Sequence, residues 1–377
     1  MSLTAYNPAL VPPPYGLMNT GVICYFNALL QGLASCPSLV ERALENRELM
    51  ARTKTGAAFY KYMEDVRRAA ADPTFRVDDR HAMTLLGELV QELRTRRPGV
   101  QFGGGMESAM EGMVFLFEMM EPPSPPAAKP GDSEERISTV EAAATEGQKT
   151  HPVFQLFDMK VRDRVWCRVC QAAGEAHQGI TSLRIDRQYQ YYFFDYDNWR
   201  EKETGKPVST PEEFRDLLLK NIQYLEDFKC EFCKKAGRPE LPGGQMCSTC
   251  RRGDYAHCQK EGRRCEEERT NILRVYDVRF VPTVLVILFN QYQEHKHRYF
   301  PEEFKIPGVK GQSYKYKLVA QLEHSGSLHS GHYWARCIRN QDGELRPFAL
   351  NDSGVGAAAL GPAASVYALF YHYAGTD

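Results

Sequence analysis

At 377 residues, 43% hydrophobic and 25% charged, the chain is long enough to bury a sizeable core in one large domain or two to three smaller ones. A formal net charge of −1 offers no basic excess for nucleic acid or a membrane surface as the main partner. No apolar run approaches the ~20 residues of a membrane span, and the first residues lack a charged-then-apolar leader, so a cytoplasmic or nuclear protein is expected. In that setting the eleven cysteines stay reduced, and several are paired as Cys-x-x-Cys, which suits metal better than disulfides.

Residues 1–14, ending in VPPPY after Leu10, read as an extended proline-containing lead-in. Residues 15–120 are mostly helical in pattern. After the turn formers Asn19, Thr20 and Gly21, the apolar residues Phe26, Leu29, Leu30 and Leu33 recur at helical spacing. This places Cys24 at or just inside a helix N-terminus, where unpaired N–H groups favour a thiolate. The same position also suits a small buried hydrophobe, and position alone leaves both readings open. Further helices are predicted over 55–70, 78–94 and 106–120. In the last, Ala109, Met113, Leu116, Phe117 and Met120 form a stripe for core packing.

Residues 121–150, rich in Pro, Ala, Ser and acids, read as a flexible insertion. Beyond it strands are predicted over 153–167 and 179–194. A helix over 210–222 follows, with Thr210 as N-cap, Pro211 at its first position and Glu213 completing a capping box. After a cysteine-dense stretch, strands are expected over 282–292, 314–324, 332–340 and 366–373.

Three histidines, His324, His329 and His332, fall close together, but only His332 follows a glycine and opens an alternating strand. Nineteen residues on come Asn351 and Asp352. On neighbouring antiparallel strands either could reach the His332 ring and hold the tautomer that accepts a thiol proton. Cysteine, then histidine, then Asn or Asp is the papain-like order. Cys36 and Cys337 read as inert core residues.

The segment GLMNTGVICYFNALLQ resembles the Cys box of the ubiquitin-specific proteases, and residues 318–373 resemble their His box through to the last strand. The resemblance implies an α+β papain-like fold: a helical thumb (15–120), zinc-bearing fingers (151–280) and a β-rich palm (281–377). It makes Cys24 the nucleophile, His332 the general base, Asn351 the third catalytic residue, Asp352 the adjacent acid and Asn19 an oxyanion-hole donor. It also matches Cys167, Cys170, Cys230 and Cys233 to the two finger pairs that bind one structural zinc. The segment holding Cys247, Cys250, His257, Cys258 and Cys265 is too poor in apolar residues for a core of its own. A second zinc is expected there, on Cys247, Cys250, Cys265 and either His257 or Cys258. Shuffled pairs or free cysteines are the rival reading.

Two departures stand out. Val22 and Ile23 replace the usual Asn-Thr before the nucleophile. Met106, Glu107 and Ser108 stand where Gln, Gln and Asp are expected, so the charge that would hold a substrate's tail is missing at 108, with Glu107 and Glu111 as the nearby carboxylates. The implied activity is a thiol-dependent deubiquitinase cleaving after the C-terminal Gly of ubiquitin or a ubiquitin-like protein, with that protein and its conjugates as partners. The competing readings are a non-catalytic ubiquitin-binding module and a zinc-finger scaffold that retains the fold.

Overall fold

The computed structural model describes residues 3–105, 107–123, 151–167, 185–189, 192–194, 207–224, 244–245, 268–269, 272–289, 297–308, 311–327 and 330–377. Seven helices are found among them: α1 (Cys24–Ala34), α2 (Pro37–Glu45), α3 (Arg47–Met50), α4 (Lys54–Ala71), α5 (His81–Arg96), α6 (Ala109–Met120) and α7 (Pro211–Leu219). Every residue of α1 is buried, the polar Asn27 and Gln31 included. It packs against α2, α5 and α6 on one side and the main sheet on the other. At Gly32 an added Cβ would lie 3.2 Å from the side chains of Leu322 and Phe370, so the glycine lets the helix lie close on the sheet.

The predicted helices form, except that the one expected over 210–222 stops at Leu219 and residues 220–222 open a strand. α4 is capped by Thr53, whose hydroxyl accepts from Gly56 N–H at 2.9 Å. The five-residue apolar stripe of α6 is buried throughout. α5 starts later than the pattern suggests, because the Asp78 carboxylate accepts from Arg80 N–H and holds a turn before it. The helices α2 and α3 are not predicted. Pro37 occupies the first turn of α2, where its missing N–H costs nothing.

The strands in chain order are β1 (Met159–Cys167), β2 (Ile185–Tyr189), β3 (Tyr192–Phe194), β4 (Lys220–Tyr224), β5 (Gly244–Gln245), β6 (Glu268–Arg269), β7 (Ile272–Phe280), β8 (Val284–Phe289), β9 (Glu303–Pro307), β10 (Ser313–Ser327), β11 (Ser330–Gln341), β12 (Glu344–Asn351), β13 (Gly354–Ala357) and β14 (Val366–Thr376). The main sheet runs β13-β12-β11-β10-β14-β8-β3, with β9 also on β10; a second sheet runs β2-β1-β7-β4. The strand predicted over 153–167 is half correct. Phe154 and Phe157 both pack on Phe117, at 4.1 and 5.2 Å between ring centres, and the chain makes a 3-10 turn there before β1. Aromatic packing overrides the alternation. At α7 the Thr210 hydroxyl accepts from Glu213 N–H at 3.2 Å, while the Glu213 carboxylate reaches Ser209 N–H, one residue before the cap.

The lead-in is docked on the sheet. Tyr6 N–H donates to Tyr373 O, Asn340 N–H donates to Pro12 O, and Leu10 and Val11 are buried. No helix among the described residues is long and apolar enough to cross a membrane.

Candidate active site

Cys24 is the first residue of α1 and is buried. Its thiol meets the backbone N–H of Tyr333, the residue after His332, as well as those of Tyr25 and Cys24 itself. The helix start supplies N–H groups, as the sequence implies, but burial pushes the thiol above its ordinary range and the Asp352 charge adds to this. Both effects favour the thiol over the thiolate.

His332 lies near the start of β11, opposite Ser325 of β10. Its Nε2 is 2.6 Å from Asn351 Oδ1 at the end of β12. A carbonyl oxygen only accepts, so Nε2 carries the proton and Nδ1 keeps the lone pair. The amide thus selects the tautomer a base needs. Register brings this about: β11 and β12 pair up to Ala335 and Leu350, which sets Asn351 within reach of the ring.

Asp352 does something else. Its Oδ2 is 3.9 Å from His332 Nε2, beyond a hydrogen bond. The two carboxylate oxygens accept instead from Asn19 Nδ2 at 3.0 Å and Asn27 Nδ2 at 2.7 Å. Asp352 has a φ of +51°, a turn that lets its own carbonyl accept from Leu17 N–H at 2.9 Å. Asn19 Oδ1 in turn accepts from Gly21 N–H at 3.0 Å. One carboxylate thus fastens the loop before Cys24 and the first turn of α1 to the turn after β12. Gly16 permits this approach, since a Cβ there would stand 2.5 Å from Ser353 O. Asn19 keeps a second N–H for a ligand.

Asn27 is a site residue that sequence reasoning missed; one turn on, Gln31 Nε2 donates to Tyr15 O at 2.9 Å. The trace was present: Cys24, Asn27, Gln31 and Ser35 form a polar stripe at helical spacing on an otherwise apolar helix. Its far end is held by the fully buried Arg339, which donates to Gln31 Oε1 at 2.6 Å and Ser35 Oγ at 2.7 Å. Cys36 and Cys337 are buried thiols pushed up by burial, matching their reading as core.

Ser108 caps α6, accepting from Glu111 N–H at 3.3 Å, and pairs with the Tyr367 hydroxyl at 2.8 Å. The Glu107 carboxylate accepts from Gly103 N–H at 3.2 Å, and burial pushes its carboxyl up. Met106 and His329 lie outside the described residues.

Of the candidate zinc ligands, Cys170, Cys230, Cys233, Cys247, Cys250, His257, Cys258 and Cys265 lie outside the described residues. Cys167 ends β1, where its backbone pairs with Ile272 at the start of β7. The end of β4, Tyr224, pairs with Leu273, at that same end of β7. β1 and β4 therefore finish at the same end of one sheet.

The family model described as ubiquitin carboxyl-terminal hydrolase matches residues 15–371. Ubiquitin carboxyl-terminal hydrolase 30 of Danio rerio is 22% identical, covering 94% of this chain and 84% of its own length. The probable ubiquitin carboxyl-terminal hydrolase 16 of Schizosaccharomyces pombe is 21% identical over 87% of this chain, which spans 60% of that protein's length. Among solved structures, the yeast SAGA DUB module with an Sgf73 variant aligns with a TM-score of 0.58 at 14% identity, over 100% of this chain and 72% of the other. The Ubp8 module bound to ubiquitin aldehyde aligns at 0.57 with 14% identity and the same two coverages, 100% and 72%. These alignments carry the fold, and the family match over nearly the whole chain carries the membership: this chain belongs to the ubiquitin carboxyl-terminal hydrolase family of cysteine-type deubiquitinases.

Proposed function

We propose that the chain hydrolyses the isopeptide or peptide bond after the C-terminal glycine of ubiquitin or a ubiquitin-like protein, using Cys24, His332 and Asn351. The observation that carries this reading is the His332 Nε2 to Asn351 Oδ1 contact of 2.6 Å, in a site where the next residue's N–H meets the Cys24 thiol. The related modules bound to monoubiquitin and ubiquitin aldehyde favour ubiquitin as the acyl partner.

The steps follow from the groups present. His332 Nδ1 takes the thiol proton, and Cys24 Sγ adds to the glycine carbonyl carbon. The free N–H of Asn19 and the backbone N–H of Cys24 face the resulting oxyanion, each such donor being worth roughly 2.7–4 kcal/mol in other proteases. Imidazolium then protonates the departing lysine amine and leaves a thioester. Water, deprotonated by the same imidazole, frees the carboxylate and the thiol.

A C-terminally electrophilic ubiquitin should form one adduct, at Cys24, and Cys24→Ala should abolish it while leaving the fold intact. Labelling at another cysteine, or none with any ubiquitin-like probe, would leave a binding module as the better reading.

The finger cysteines Cys167, Cys170, Cys230 and Cys233 are proposed to share one tetrahedral zinc, with a second ion on Cys247, Cys250, Cys265 and either His257 or Cys258. Supporting this is the common end of the sheet at which β1, whose last residue is Cys167, and β4, the strand before Cys230 and Cys233 in the described chain, both finish. Metal analysis of freshly purified protein should find two zinc ions per chain; one would remove the second site, none both.

A further inference from the structure

The imidazole of His332 is held by little. Its side chain is 43% exposed, one amide oxygen is its hydrogen-bond partner, and that partner is neutral. The ring becomes a cation whenever it takes the Cys24 proton, and the charges beside it are then the Cys24 thiolate and the Asp352 carboxylate, 3.9 Å from Nε2. Among the described residues an aromatic side chain also lies beside it. The indole of Trp334 stacks on the ring, 6.2 Å between centres and 19° between planes.

This neighbour is fixed by the strand. His332 and Trp334 lie two apart in β11 and share a face. The β11–β12 ladder closes at the Ala335–Leu350 pair, and Trp334 and Asn351 are the next residues on their strands. Among the described residues, the charged or titratable groups near the ring are Asp352 at 3.9 Å and the Cys24 thiol beside Tyr333 N–H. From β10 the ring faces uncharged Ser325, while Glu323, across from Trp334, is paired with Arg336 at 2.6 Å.

We propose that Trp334 is a positioning residue for the general base: its stacked face fixes the plane of the His332 ring and so the direction in which Nδ1 meets the Cys24 proton. Aromatic rings pair at about 4.5–7 Å between centres, and a stacked partner restricts the ring rotation that a single hydrogen bond allows. The proposal rests on the functional reading above, in which His332 is the base, but not on ubiquitin as substrate.

The test is therefore alkylation of Cys24 by iodoacetamide in the whole chain, followed across pH by mass spectrometry of the Cys24 peptide, for wild type, Trp334→Leu and Trp334→Phe. Trp334→Leu should react roughly tenfold more slowly at pH 7, and its reactivity should rise at higher pH than in wild type. Trp334→Phe, which keeps a face, should stay within about threefold of wild type. Unaltered melting temperatures separate positioning from unfolding, and if the leucine variant does not fold, Trp334→Gln takes its place. An unchanged profile in the folded leucine or glutamine variant, or an equal loss in the phenylalanine variant, would overturn the proposal. Labelling of wild type with electrophilic ubiquitin, run alongside, reports on the functional reading alone.

Discussion

Asn351 and Asp352 are adjacent and similar in size, yet they serve different partners. Asn351 orients His332, whereas Asp352 accepts from Asn19 and the buried Asn27. Asn351→Ala should therefore lower kcat at least tenfold while leaving the melting temperature nearly unchanged, because the site it vacates is solvated. Asp352→Ala should lower both, since it strands the buried Asn27 amide at a cost of about 1–3 kcal/mol and frees Asn19 from its place. Steady-state kinetics and thermal melts on the two variants would separate these roles. If Asp352→Ala spares stability and costs more activity than Asn351→Ala, then Asp352 is the ring's partner in solution.

At the scale of elements, three pieces of chain converge on the site: the loop before α1, the start of β11 and the turn between β12 and β13. Gly16 is where the first and last of these touch. In Gly16→Ala the new Cβ would collide with backbone atoms of Ser353, which have no rotamer to escape into. The expected result is at least a tenfold loss of activity, with a stability loss of about 1–3 kcal/mol from the forced displacement. Full activity in that variant would mean that the loop and turn need not be in register. The α1 helix was readable because Phe26, Leu29, Leu30 and Leu33 recur at helical spacing. The helix α2 was not, because a proline after a helix reads equally as an end or a beginning.

Across the whole molecule, burial keeps two histidines neutral. His151 stacks on Phe154, and His372 sits between Ser38 Oγ and the Tyr373 carbonyl; burial pushes both down to about 4 from an ordinary 6.5. The unfolded chain therefore binds more protons than the folded one between these values, so stability falls as pH drops from about 6.5 towards 4. Each histidine contributes up to about 3 kcal/mol to that loss. Urea melts at pH 7.5 and pH 5 should show it, and His372→Gln should flatten the dependence. An equally steep loss in that variant would place its origin elsewhere.

The positions proposed as nucleophile, base and third residue were legible in the chain because each sits where a periodic pattern begins or ends, while the roles given to them came from the resemblance of the two boxes. Helical spacing starts at Cys24, strand alternation starts at His332, and a short apolar run stops before Asn351. Local patterns of this kind depend on residues a few positions away. Which of Asn351 and Asp352 meets the imidazole was not readable, nor were the parts played by Asn27 and Trp334. Those were decided by the β11–β12 register and by α1 lying against the sheet, contacts between residues up to 325 positions apart. The thiol likewise departs from what its helix start implies, because burial and a carboxylate from the far end of the chain outweigh the local N–H groups.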